Sequence, residues 1–173
     1  MQLKLNLGGV VLSLRIWGYV KVTDDDWHST WCQTDFDFTS GEWLNYHAES
    51  TEVFLAMEID NLAEALDSLL NDQLETSTEF NCVEPDFNFV LNPKRDRRLD
   101  PRYTYIRPGF EIEDISVEWK ISFWFEGLTA NYLSVTLYCP DIERLLAYLR
   151  LVTGELTADD AQIKAMIAQG VIC

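Results

Sequence analysis

Most of the first fifty residues alternate between apolar and polar positions with a period of two, the pattern of strands with one face on a core and the other in water. From Val10 to Trp17, Val10, Leu12, Leu14 and Ile16 fall on one side, and Val11, Ser13, Arg15 and Trp17 on the other. A second run, Trp27 to Phe38, follows three consecutive aspartates, and Ser40-Gly41 turns it into Glu42 to Glu49 as a hairpin. After Phe54 the period changes. Ile59, Leu62, Leu66, Leu69 and Leu70 recur at three and four, which predicts a helix ending near Asn71 with Glu58, Asp60, Glu64 and Asp67 facing water. Strands resume at Ser77–Cys82 and Asp86–Leu91, and a long alternating strand, Ile115 to Phe125, pairs with Asn131–Cys139. Pro140 opens a second helix with the stripe Ile142, Leu145, Leu146, Leu149 and Val152, closed by Gly154. A third is expected from Thr157, capped with Asp160, to Gly170. No internal repeat shows in the sequence. The fold class is α+β: mostly antiparallel sheet, sandwich-like or strongly bent, covered by two or three helices. Residues 1–173 read as one domain, with a basic loop or arm at 93–108 and a C-terminal helical extension at 155–173.

The stretch Phe80 to Leu91, FNCVEPDFNFVL, interrupts a strand-like run with Glu84-Pro85-Asp86. Pro85 lacks an amide donor, so it suits a strand start or a sheet edge, where Glu84 and Asp86 would also discourage pairing with another chain. The core face is expected to resume at Phe87, Phe89 and Leu91.

The chain carries 29 acidic residues against 13 Lys and Arg, a formal net charge of −16. Six of the basic residues lie between Lys94 and Arg107, leaving 7 basic against 27 acidic residues elsewhere. Such a surface repels phosphate backbones and draws basic partners, so direct nucleic-acid binding is not expected. No stretch approaches a membrane span or a signal sequence, which reads as a cytoplasmic protein. Cys32, Cys82, Cys139 and Cys173 are scattered without a CxxC pair; all four are expected to be reduced and the first three to be packed.

Catalytic constellations are scarce. Phosphate loops of the GxxxxGK and GxGxxG types are absent. His28, Cys32 and a cross-strand His47 are the one set that a hairpin could gather around a metal or small ligand, but surface or aromatic-packed histidines are the favoured reading, and no metal or cofactor is assigned. Cys32 has neither a glycine elbow nor a helix start beside it, so a small core residue fits better than a nucleophile. Asp24-Asp25-Asp26 lacks the spaced ligands of a calcium loop and reads as a solvated turn. Glu118 and Glu126, eight apart on one strand, are too distant for a glycosidase pair. Aromatic rings interleave with acids instead: Trp27, Trp31, Trp43, Tyr46 and Trp124 alternate with Asp35, Asp37, Glu42, Glu118 and Glu126, anchors and charge suited to a basic protein unless the rings are core.

Several motifs in order resemble bacterial WapI-type immunity proteins, the partners of polymorphic, contact-dependent toxins. They are a strand ending in Gly18-Tyr19, Asp26-Trp27 before an alternating strand, the leucine-rich helix from Glu58 to Asn71, the Glu-Pro segment between Phe80 and Phe89, and the late strand ending at Phe125-Glu126 before the helix after Pro140. The resemblance spans roughly residues 10 to 152; EGLTANY replaces the family's proline-and-tryptophan turn, and the basic arm and tail helix look like additions. It implies a non-enzymatic 1:1 inhibitor of a cognate toxin domain, a nuclease acting on RNA in the type system. The expected partner-binding residues are Asp24, Asp25, Asp26, Asp35, Asp37, Glu42, Glu118, Trp124 and Glu126. The alternatives are a ligand-binding or structural α+β domain of another role, with a pocket around His28, Cys32 and His47, and an assembly subunit docking through the arm.

Overall fold

The computed structural model describes residues 1–22 and 30–173. The first sheet is an antiparallel meander of β1 (Leu3–Leu7), β2 (Val10–Trp17), β3 (Trp31–Ser40) and β4 (Leu44–Leu55). The helix α1 (Ala56–Leu70) follows. The second sheet has the order β10-β9-β6-β5, built from β5 (Thr78–Asn81), β6 (Phe87–Asn92), β9 (Ser116–Trp124) and β10 (Leu128–Tyr138), and leads into α2 (Cys139–Thr153). Each half therefore runs four antiparallel strands and then a helix, a repeat of topology that leaves no trace in the sequence. A two-stranded ribbon, β7 (Arg95–Asp96) with β8 (Ile112–Glu113), is inserted between β6 and β9. The helix α3 (Ala161–Ala168) closes the chain.

The two sheets bury their apolar faces against each other. Leu12, Leu14, Phe36 and Phe38 from the first meet Phe87, Phe89, Trp119 and Ile121 from the second, all essentially inaccessible. The Phe36 and Phe87 rings lie 4.9 Å apart and those of Phe87 and Trp119 5.0 Å, the latter edge to face, as ring quadrupoles prefer. α1 and α2 pack on each other. Pro140 lies in the first turn of α2, and Gly154 (φ 81°) ends the helix in a left-handed conformation that glycine adopts without strain. Inside, the Tyr148 hydroxyl accepts the Ile16 amide at 2.9 Å, and burial pushes its pKa up to about 12.

Several expectations need correction. Glu58 does not face water: it is 5% exposed and its carboxylate accepts the amides of Leu55 (2.8 Å) and Val83 (2.6 Å). It caps α1 and holds the loop before β6. Pro85 lies in the β5–β6 turn, and Asp86 is buried rather than guarding an edge. Thr157 donates to the Asp160 carboxylate from both backbone and side chain, but in a turn; α3 begins one residue after Asp160. Cys139 is exposed, whereas Cys32 and Cys82 are buried. The tail is joined to the core: Ile163 and Ile172 are buried, and residues 171–173 bond along β1 through Lys4 N to Val171 O and Gln2 N to Cys173 O, each 2.7 Å.

Candidate partner-binding surface

The outer face of the second sheet follows from strict alternation. In β9, Val117, Trp119 and Ile121 point inward, so Glu118, Lys120, Ser122 and Trp124 point out; in β10, Val135 and Leu137 point inward, so Tyr132, Ser134, Thr136 and Tyr138 point out. The register sets Glu118 between Val90 and Thr136, Lys120 between Asn88 and Ser134, and Tyr132 opposite Ser122. At the β9–β10 tip the chain turns through Glu126 (φ 54°) and Gly127 (φ 135°), and the Thr129 hydroxyl donates to the Phe123 carbonyl at 2.7 Å. This tip presents Phe125 (79% exposed), Leu128 (50%) and Trp124 (41%), with Tyr132 (60%) and Tyr138 (62%) along β10. Large rings on a rigid sheet, flanked by Glu118 and Glu126, match the composition of interface anchors.

The Glu-Pro turn holds this face in place: the Asp86 carbonyl accepts the Ser122 amide at 2.9 Å. Burial raises the Asp86 and Glu58 pKa values above the usual carboxylate range, with Glu84 adding repulsion to both. The Glu-Pro segment thus links α1 to the tip of the second sheet.

The other expected residues lie elsewhere. Asp35 and Asp37 are on the outer face of the first sheet, opposite Arg15 and Ser13. Asp35 accepts the Ser50 amide at 2.8 Å, and Asp37 pairs with His47, which also meets Glu49 at 2.9 Å. Those two carboxylates push the His47 pKa up to about 8. Glu42 sits beside Trp43 (71% exposed) in the β3–β4 turn. The Tyr46 and Phe123 rings pack at 4.8 Å with a 58° tilt, so that turn and the β9–β10 tip leave the core from adjoining points. Glu42, Trp124 and Glu126 are thereby brought to one region, with Glu118 further along the same sheet as Trp124. Asp24, Asp25, Asp26, Trp27 and His28 lie outside the described residues.

Cys32 and His47 do not share a site, because Cys32 points into the core and His47 outward. Burial pushes the Cys32 thiol up to about 12, keeping it protonated at neutral pH. Among the described residues no group of three His, Cys, Asp or Glu side chains converges as a metal site, and no helix is long and apolar enough to cross a membrane.

The basic arm belongs to a folded ribbon that continues through Glu113 and within which its arginines are paired or packed. Arg95 and Arg97 reach Glu113 at 2.7 and 2.8 Å, Arg98 reaches Asp96 at 2.6 Å, and Arg102 reaches Asp100 at 2.6 Å. Arg107 lies over the Phe110 ring. Its bridges run to carboxylates of the arm itself, not to the acidic body. Between the arm and the outer face of the second sheet runs a groove of about 830 Å³, lined among others by Lys94, Phe110, Glu118, Thr136 and Tyr138.

Phe125, Leu128, Tyr132 and Tyr138 are not among the partner-binding residues expected from the sequence, whose alternation puts Phe125 on the same face as Trp119 and Ile121, whereas it is exposed. Phe125 continues the core parity of β9 but falls beyond the strand's end. Tyr132 and Tyr138 have the parity opposite to Leu133, Val135 and Leu137, the signal that marks them as outward.

No curated protein matches the chain. Among solved structures, the plant transcriptional regulator PBF-2 aligns over 98% of this chain and 87% of its own, at 9% identity and a TM-score of 0.39. A family model described as the immunity protein WapI-like family matches residues 2–169, beyond the 10 to 152 that the motifs cover and including both the arm and α3. The Glu-Pro segment that bears the resemblance is the one that Glu58 and Ser122 hold in place, and on the whole-length match the chain belongs to the WapI-like family of immunity proteins.

Proposed function

We propose that this immunity protein neutralises a nuclease toxin domain by 1:1 association, and that the toxin docks on the outer face of the second sheet and the β9–β10 tip. The observation that carries the reading is the row of exposed rings, Trp124, Phe125, Tyr132 and Tyr138, flanked by Glu118 and Glu126 on a rigid, core-backed sheet. A nuclease needs a cationic cleft for its phosphate substrate, and a chain of net charge −16 is drawn to such a cleft at long range. The rings then supply the short-range affinity, since desolvated aromatic anchors dominate most interfaces. Inhibition follows from occupancy of the substrate channel and asks no reaction of this chain.

The test is co-expression with the toxin C-terminal domain encoded immediately upstream, joined to a pull-down at low and high salt. Rescue of growth with equimolar capture, slower to form as salt rises, supports the reading. A toxin that remains lethal and is not captured at either salt refutes it.

A further inference from the structure

Two open sheets have four edges, and three of them are blunted. The β1 edge is covered by residues 171–173. The β4 edge carries His47, Glu49 and Glu52, breaks register with β3 twice, and takes a positive φ at Ser50 (51°). The β5 edge is only four residues long, carries Glu79 and ends at the Glu-Pro turn. These are the usual devices against unwanted strand pairing. The fourth edge, β10, breaks register with β9 once, between Leu128 and Tyr132, and then runs in register from Tyr132 to Tyr138; LTANYLSVTLY carries neither a charge nor a proline, in a chain that is 24% charged.

The register shows which backbone groups that edge exposes. Ser122 gives its amide to Asp86 on the β6 side, and backbone groups alternate along an antiparallel strand, so Ser122 does not bond to its β10 partner Tyr132. The amides and carbonyls of Tyr132, Ser134, Thr136 and Tyr138 therefore point away from β9. All four residues are exposed, and among the described residues no backbone group of another strand, turn or loop bonds to them; the Tyr138 carbonyl, at the N-cap of α2, belongs to that helix. A long, uncharged strand with a row of open donors and acceptors is a template for one more strand.

We infer that β10 is the docking edge for a strand of the toxin domain, which extends the second sheet by β-augmentation. This rests on the immunity reading and specifies its geometry. Charge chooses between occupants. Glu126 stands at the start of β10, Glu118 beside its middle, and Asp114, Asp141 and Glu143 around its end, against Lys120, Lys94 of the adjoining groove, a bridged Arg144, and Arg95 and Arg97, which Glu113 pairs. Two copies of a chain at −16 would repel along this edge, whereas a cationic strand is attracted. The side chains of the added strand would sit beside Tyr132 and Tyr138, continuing the aromatic face.

The probe is the upstream-encoded toxin domain titrated into the full chain, with Ser134→Pro as the variant. Proline there removes one outward amide and spares the β9–β10 ladder, so the fold should tolerate it. Its binding should be weaker by about tenfold to a hundredfold, as expected when a backbone bond is lost and its partner carbonyl is left dry. Residue-resolved amide exchange in the wild-type complex reads the same edge without mutation. The Tyr132, Ser134, Thr136 and Tyr138 amides should gain protection on binding, and should exchange freely in the protein alone. Tight binding with those amides still open, or undiminished by Ser134→Pro, overturns the edge inference and leaves the immunity reading standing. Protection of the same amides in the protein alone, rising with its concentration, would assign the edge to a second copy. Failure of the wild-type chain to bind the toxin domain at all overturns both.

Discussion

Replacing Glu58 with alanine removes the acceptor for two amides at once. The Leu55 amide lies at the buried start of α1, 2.8 Å from one carboxylate oxygen, and the Val83 amide holds the loop before β6, 2.6 Å from the other. A buried donor left without a partner costs about 1–3 kcal/mol, more where the lost acceptor was charged. Relief from burying a carboxylate offsets part of that, as the raised Glu58 pKa shows. A net loss of about 2–4 kcal/mol is expected, a large share of the roughly 5–15 kcal/mol that holds a domain together. Urea unfolding should report it as a lower midpoint with an unchanged slope, and thermal melts as a fall of roughly 5–15 °C. Glutamine keeps only one acceptor oxygen and turns a donor toward the second amide, so Glu58→Gln should recover part of the loss at most. A Glu58→Ala protein within about 0.5 kcal/mol of wild type would refute the claim that this carboxylate ties α1 to the Glu-Pro loop.

Three further outcomes follow from the geometry. His47 should titrate near pH 8 by NMR, and Asp37→Asn should bring it back toward about 6.5; its pairing stabilises the fold below that ordinary value and is lost as pH rises through about 8. Deleting residues 94–114 and closing the gap with a two-residue turn should leave the melting temperature within about 3 °C, because Asn92 and Ser116 are already register partners and the arm's ion pairs are internal and exposed. Tyr148→Phe should cost about 1–3 kcal/mol in chemical denaturation, since it strands the buried Ile16 amide.

Alternation and helical periodicity placed the strands and helices well, because each has one face that must be buried and the pattern records which. What the pattern could not record was pairing across long sequence separations. Charge alone puts Glu58 on the wet side of α1, although it flanks the apolar stripe four residues before Leu62, and the loop around Val83 covers that position from 25 residues away. Asp86 looked like an edge guard because nothing local shows that β6 is an inner strand. The arm looked basic because its segment was cut at Arg107, short of Glu111, Glu113 and Asp114. For the surface, Trp124, Glu118 and Glu126 were legible on the late strand, whereas Tyr132 and Tyr138 required the parity of β10 to be followed outward. The separation of Asp35 and Asp37 from that surface is a property of the sandwich, whose two outer faces point away from each other.

That separation sets the most direct test. Calorimetric titration of the toxin domain would compare wild type with Phe125→Ala/Tyr132→Ala, on the outer face and tip of the second sheet, and with Asp35→Asn/Asp37→Asn, on the first. Neither Phe125 nor Tyr132 is buried, so the first pair should keep its fold and lose affinity by about thirtyfold or more, as truncation of anchor residues does. The second pair should stay within about threefold of wild type, the scale of a rim charge. Unchanged binding by the first pair with strong loss in the second would place the toxin on the first sheet and contradict the account.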